Sequence, residues 1–105
     1  MNYSYMLNGR TADGTLLKNH GFVQEGNCFS LRVELQNGLY TVIKICNNKL
    51  DVDVFDEIFH KKYTAFSSGH KVDIPSYLVK PGHSGSAIRT QVREIVEKIL
   101  NDCCV

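Results

Sequence analysis

Gly82-His83-Ser84-Gly85-Ser86 is the stretch of this chain whose residue types most invite chemistry. It is similar to the G-x-S-x-G turn of hydrolases, but its fifth position is Ser86, not glycine. A serine nucleophile also needs a histidine and an acid placed by a large scaffold, and 105 residues are too few for one. Anion binding asks for less. Glycines expose backbone N–H groups at the start of a helix, where the dipole is positive. A loop that ends in a serine cap explains the same five residues without any ligand.

Metal chemistry has raw material in His20, His60, His70, His83, Cys46, Asp51, Asp53 and Asp56. No C-x-x-C, H-x-x-x-H or H-E-x-x-H spacing brings two of them onto one short element. Asp51-x-Asp53 aims two carboxylates at one face of a strand, as hard cations require, yet simple alternation of a half-wet strand produces the same pattern. His60 has no nucleophile or second acid near it in sequence to make it a useful general base. The expectation is no catalytic residue, no metal and no cofactor.

Nucleic acid is a weaker partner than protein on charge grounds. Twelve basic residues face eleven acidic ones, for a net charge of +1. Lys44, Lys49, Lys61, Lys62, Lys71, Arg89 and Arg93 are scattered, and Asp51, Asp53, Asp56 and Glu57 offset them. Tyr40, Tyr63 and Tyr77 could stack bases, which keeps a nucleic-acid accessory role as the alternative. No apolar run approaches the ~20 residues that a bilayer requires, and MNYSYMLNGR lacks a signal-peptide core. The expected setting is cytoplasmic, with no membrane association. In that setting Cys28, Cys46, Cys103 and Cys104 are expected to be reduced thiols.

These side chains must be positioned by a small set of elements in one domain covering residues 1–105. Residues 11–20 read as a short helix, capped by Thr11 or Asp13 and closed by Gly21 in the left-handed conformation. Phe29, Leu31, Val33 and Leu35 alternate with Ser30, Arg32, Glu34 and Gln36, the mark of a strand with one apolar face. Asn37-Gly38 turns the chain into a second strand, Leu39 to Cys46. A two-residue turn would set Leu31 against Lys44. A three-residue loop with Gly38 left-handed pairs Leu31 with Ile43 and Phe29 with Ile45, and matching faces favour it. Asn47-Asn48 marks another turn, and Leu50, Val52 and Val54 alternate with Asp51 and Asp53 in a third strand.

Residues 56–62 are turn-like, Tyr63 to Ser67 reads as a fourth strand, and Ser76 to Lys80 as a short edge strand. From Ser86 onward, Ala87, Ile88, Val92, Ile95, Val96, Ile99, Leu100 and Cys103 fall on one helix stripe, with Ser84 or Ser86 as cap. The fold class is therefore α+β. A four- to five-stranded antiparallel meander carries a long C-terminal helix and a short N-terminal helix on one face.

The segment HGFVQEGNCFSLRVELQNGLYTVIKI, followed by GHSGSAIRTQVREIVEKIL, resembles the N-terminal module of some bacterial proteins of the MmcQ/YjbR family. A "GF…EG" segment leads into a hairpin turning at Asn-Gly, and a helix similar to Val92-Arg93-Glu94 follows a glycine-containing loop. The likeness spans residues 15 to 104. The double-wound domain behind that family's DNA-binding label has no counterpart here, and the loop from Ser67 to Ser84 is longer than the family pattern. The resemblance implies a small α+β module with no catalytic residues to carry over.

The second strand is apolar on both faces, with Tyr40 and Val42 opposite Ile43 and Ile45, and Phe55, Ile58 and Phe59 add bulk nearby. Such surplus apolar surface marks an interface with a protein partner or a second copy in a homodimer. Residues 1–20, with Tyr3, Tyr5, Met6 and Leu7, could instead fold over that face. An interaction or self-association module is the leading functional reading.

Overall fold

The alternation read from the sequence becomes one antiparallel sheet in the computed structural model, which describes residues 3–35, 38–58, 60–64 and 85–105. Its strands are β1 (Val23–Glu25), β2 (Cys28–Glu34), β3 (Leu39–Cys46), β4 (Lys49–Asp56) and β5 (Lys61–Thr64), side by side in chain order. Residue chemistry at each turn explains the meander. Gly26, at φ +60°, opens the two-residue β1–β2 turn. Asn47 and Asn48, at φ 50° and 61°, form the β3–β4 turn, and asparagine tolerates this left-handed region better than most residues.

Between β2 and β3, Leu35 N–H donates to Leu39 O at 2.9 Å and Gly38 sits at φ +79°. Three residues thus separate the closing pair, and Leu31 opposes Ile43 while Phe29 opposes Ile45. The expected register holds. In the β4–β5 loop, Asp56 Oδ1 accepts from Ile58 N–H at 2.9 Å and Glu57 N–H reaches back to Gly38 O.

Helix α1 (Gly14–His20) starts at Asp13, whose Oδ1 accepts from Thr15 N–H at 2.9 Å and Leu16 N–H at 3.3 Å. Gly21, at φ +110°, ends it. Thr11, the other candidate cap, is used elsewhere. Because Asp13 satisfies two N–H groups of a seven-residue helix, Asp13→Ala is expected to lower stability by ~1 kcal/mol, read as a reduced urea midpoint with an unchanged m-value.

Helix α2 (Gly85–Cys103) presents Ile88, Val92, Val96, Ile99, Leu100 and Cys103 to the sheet, all buried, with Ile95 at the margin. They meet Leu39, Ile43, Ile45, Leu50, Val52 and Val54 in one cluster that also takes Leu17 of α1. Each large aliphatic side chain removed from water there contributes ~1.5–3 kcal/mol.

Residues 3–20 do not cover the second face of the sheet. Ser4–Leu7 forms a 3-10 turn, and Tyr3 and Leu7 join the inner cluster. Tyr3 N–H donates to Leu50 O at 2.7 Å, and Leu50 N–H donates to Ser4 Oγ at 3.0 Å. These bonds occupy the part of the β4 edge that β5, paired only with Asp53–Asp56, leaves open. A clasp then ties both ends of the described chain together. Thr11 and Val105 exchange backbone hydrogen bonds at 2.8 and 2.9 Å. Asn48 accepts from Ala12 N–H and donates to Arg10 O, and the Arg10 guanidinium reaches Met6 O, Leu7 O and Asn101 Oδ1.

Three expectations need correction. β1 was not foreseen, because three residues are too short to show an alternating pattern. The fourth strand begins at Lys61, two residues before Tyr63. Cys28 and Cys46 are not reduced thiols but form a disulfide, because the β2–β3 register sets them directly opposite each other with Cα atoms 4.2 Å apart. The expected strand Ser76 to Lys80 lies outside the described residues.

Candidate functional site

Period-two alternation sends one set of side chains to the helices and leaves the other set on the outer face. Paired positions share a face, so the register places Tyr40 beside Phe55, Val42 between Arg32 and Asp53, and Lys44 beside Asp51 on that outer side. The buried side chains of the 3-10 turn, α1 and α2 all belong to the inner cluster. Among the described residues, no element lies over the outer face.

Its apolar centre is ordered by ring chemistry. The Tyr40 and Phe55 rings stack with centroids 5.4 Å apart and planes 18° from parallel. The Arg32 guanidinium lies over the Tyr40 ring, 3.7 Å from its centroid. Glu34 Oε1 accepts from Arg32 Nε at 2.7 Å, and Glu57 Oε1 stands 3.4 Å from its terminal nitrogen. The hydrogen bond that Arg32 donates to Glu34 is the main reason that its pKa moves above the ordinary arginine value. Next to this stack, Val42, Lys44, Asp51, Asp53, Phe55 and Lys62 line a groove of about 410 Å³. Lys62 Nζ lies 3.5 Å from Asp53 Oδ2, an ion pair between an exposed lysine and a half-buried aspartate.

Charge on this face is balanced. Among the described strands, the outer positions carry Arg32, Lys44, Lys49 and Lys62 against Glu25, Glu34, Asp51 and Asp53. A phosphate backbone would meet as many carboxylates as cations there. The Asp51-x-Asp53 pair thus has an explanation in its cross-strand neighbours, and among the described residues no three His, Cys, Asp or Glu side chains converge as a metal site would require.

Of the residues singled out from the sequence, Tyr40, Val42 and Phe55 come together at this centre. Ile58 does not join them. It is 63% exposed in the β4–β5 loop, at the end of the sheet beside Gly38. Phe59 lies outside the described residues, as do Gly82, His83 and Ser84. Gly85 and Ser86 form the first turn of α2, so the anion-binding loop as a unit also lies outside them.

The disulfide sits on the same face, at the end away from Tyr40, with both cysteines half-buried. Cys103 and Cys104 are buried on the inner side, where Cys103 Sγ donates to Leu16 O at 3.6 Å. Burial pushes both thiols above the ordinary cysteine value, with Arg10 partly opposing this at Cys104, so neither is a ready nucleophile.

Sequence reasoning reached the apolar members of the face and the offsetting of its lysines by aspartates, but missed the place of Arg32 over the Tyr40 ring. That place was available from the register, since Arg32 must stand beside Val42 once Leu31 stands beside Ile43. Comparison with protein-family models, curated proteins and solved structures finds no match for this chain. What is defined is a class of fold: an α+β domain in which helices cover one side of a five-stranded antiparallel sheet. Among the described residues, no helix is long and apolar enough to cross a membrane.

Proposed function

We propose that the protein is a non-catalytic interaction module that self-associates through the outer face of its sheet, in a cytoplasmic setting. The observation that carries this reading is an aromatic and aliphatic centre, Tyr40, Val42 and Phe55, ringed by equal numbers of cations and anions. A two-fold axis through such a patch can set cations of one copy against carboxylates of the other, which a single-sign surface cannot do. Arg and Tyr are also the side chains that most often dominate binding energy at protein interfaces. The likeness to the MmcQ/YjbR module rests on a hairpin and a helix, and it adds no activity to this reading.

Sedimentation velocity across a concentration series tests it. Wild-type protein is expected to shift from monomer to dimer as concentration rises, and Phe55→Ala to weaken the dimer about 30-fold, the effect of losing one central anchor. Lys44→Glu is expected to weaken it too, and adding Asp51→Lys to the same chain to restore it. A monomer at every concentration, or a dimer indifferent to all three variants, would overturn the proposal.

A further inference from the structure

At the opposite end of the sheet, on the side of the helices, a second concavity lies where the β1–β2 turn, the β3–β4 turn and the residues before α1 converge. We propose that this cleft binds a small, neutral, hydroxyl-rich ligand the size of a single sugar ring. Its volume is about 250 Å³, room for roughly eight waters at ~30 Å³ each. That is slightly below the range of drug-sized pockets, which restricts the ligand to one compact ring or a short polyol.

The lining has a composition that selects for chemistry. Leu17 and Ile45, both buried, and Phe29 make the floor. Gln24, Asn27, Asn47 and Asn48 make the rim, and every one of these side chains can both donate and accept a hydrogen bond. Among the described residues, no charged side chain lines the cleft. An anion or cation would lose hydration there without meeting an opposite charge. A purely apolar molecule would cover the amides without pairing them. A ring with hydroxyls on its edge and C–H bonds on one face satisfies both the rim and the floor.

Two of the rim amides are already held in place. Asn48 is fixed by its bonds to Ala12 N–H and Arg10 O, and Gln24 Nε2 donates to Gly26 O at 3.2 Å. Asn27 and Asn47, exposed on the two turns, have no hydrogen bond to a described side chain and are positioned to receive a ligand. The arrangement therefore combines a rigid half with two free arms. Free monosaccharide and the terminal sugar of a glycan present the same chemistry, and the cleft is open on one side to either.

The experiment is an amide chemical-shift titration of the full chain with glucose, galactose, mannose and N-acetylglucosamine. Glucose 6-phosphate serves as the charged control, and a short oligosaccharide distinguishes a glycan end from a free sugar. At least one neutral sugar is expected to bind with a Kd on the order of 1 mM, shifting the side-chain amides of Asn27 and Asn47. Asn27→Ala and Asn47→Gly, the latter chosen because glycine keeps the φ of +50° that the turn needs, are each expected to weaken binding about tenfold. Tighter binding of the oligosaccharide would identify the glycan end as the ligand, and equal or weaker binding the free sugar. No saturable shift with any neutral sugar would overturn the proposal. So would binding that ignores both variants, or binding of the phosphorylated control as tight as that of glucose. Retained dispersion in the amide spectrum of each variant excludes unfolding as the cause of a loss.

Discussion

Val92→Asp is expected to abolish the cooperative folded state. Val92 is fully buried at the centre of the α2 stripe, among aliphatic side chains of the cluster that joins helix to sheet. A carboxylate there is set among aliphatic side chains and must either stay charged in an apolar site or force the helix off the sheet. Either outcome costs several kcal/mol, against total stabilities of about 5–15 kcal/mol for domains of this size. At ~5 °C per kcal/mol, the thermal midpoint falls by more than ~20 °C if any transition survives. Gln91→Asp, one position away and exposed, is expected to stay within ~0.5 kcal/mol of wild type. Thermal unfolding followed by circular dichroism checks both. A Val92→Asp protein that melts within a few degrees of wild type would mean that the helix does not pack where it is placed.

The second large effect belongs to the Cys28–Cys46 bridge. The bonded residues lie 18 apart in sequence, and closing a loop of that length in the unfolded chain is worth ~3 kcal/mol in the chain-entropy account. Reduction, or the double variant Cys28→Ser with Cys46→Ser, is expected to lower the thermal midpoint by ~15 °C. The native circular dichroism spectrum is expected to stay unchanged, because backbone hydrogen bonds and the facing of Leu31 with Ile43 hold the register without the sulfurs. Urea melts with and without dithiothreitol measure the difference.

Legibility from sequence followed the strength of local periodicity. The α2 stripe spans five turns, and the 29–46 hairpin is pinned by facing apolar residues, so both were readable. The Asp13 cap and Gly21 stop were readable because their chemistry is local. The short strand Val23–Glu25 and the 3-10 turn Ser4–Leu7 exist only because other strands accept their backbone groups or their side chains, and no local pattern announces that. The cysteine pairing is a different kind of miss. The register that sets Leu31 against Ile43 also sets Cys28 against Cys46, three residues farther from the turn, so the information was present once the loop length had been chosen. A prior about redox compartment outweighed a geometric consequence.

For the candidate site, Tyr40, Val42 and Phe55 were visible as surplus apolar positions. Ile58 was not separable from them, because whether a loop residue points along the sheet or beyond its end depends on the loop's own hydrogen bonds.

The Thr11–Val105 clasp has a kinetic corollary. Its partners are 94 residues apart in the chain, whereas neighbouring strands of the meander are joined by turns of two to four residues. At ~0.6 kcal/mol for every doubling of loop length, contacts so remote are entropically disfavoured until the helix has docked. The hairpins therefore form early on the folding route and the clasp last. Mutations in the clasp should accelerate unfolding while leaving the refolding rate nearly untouched.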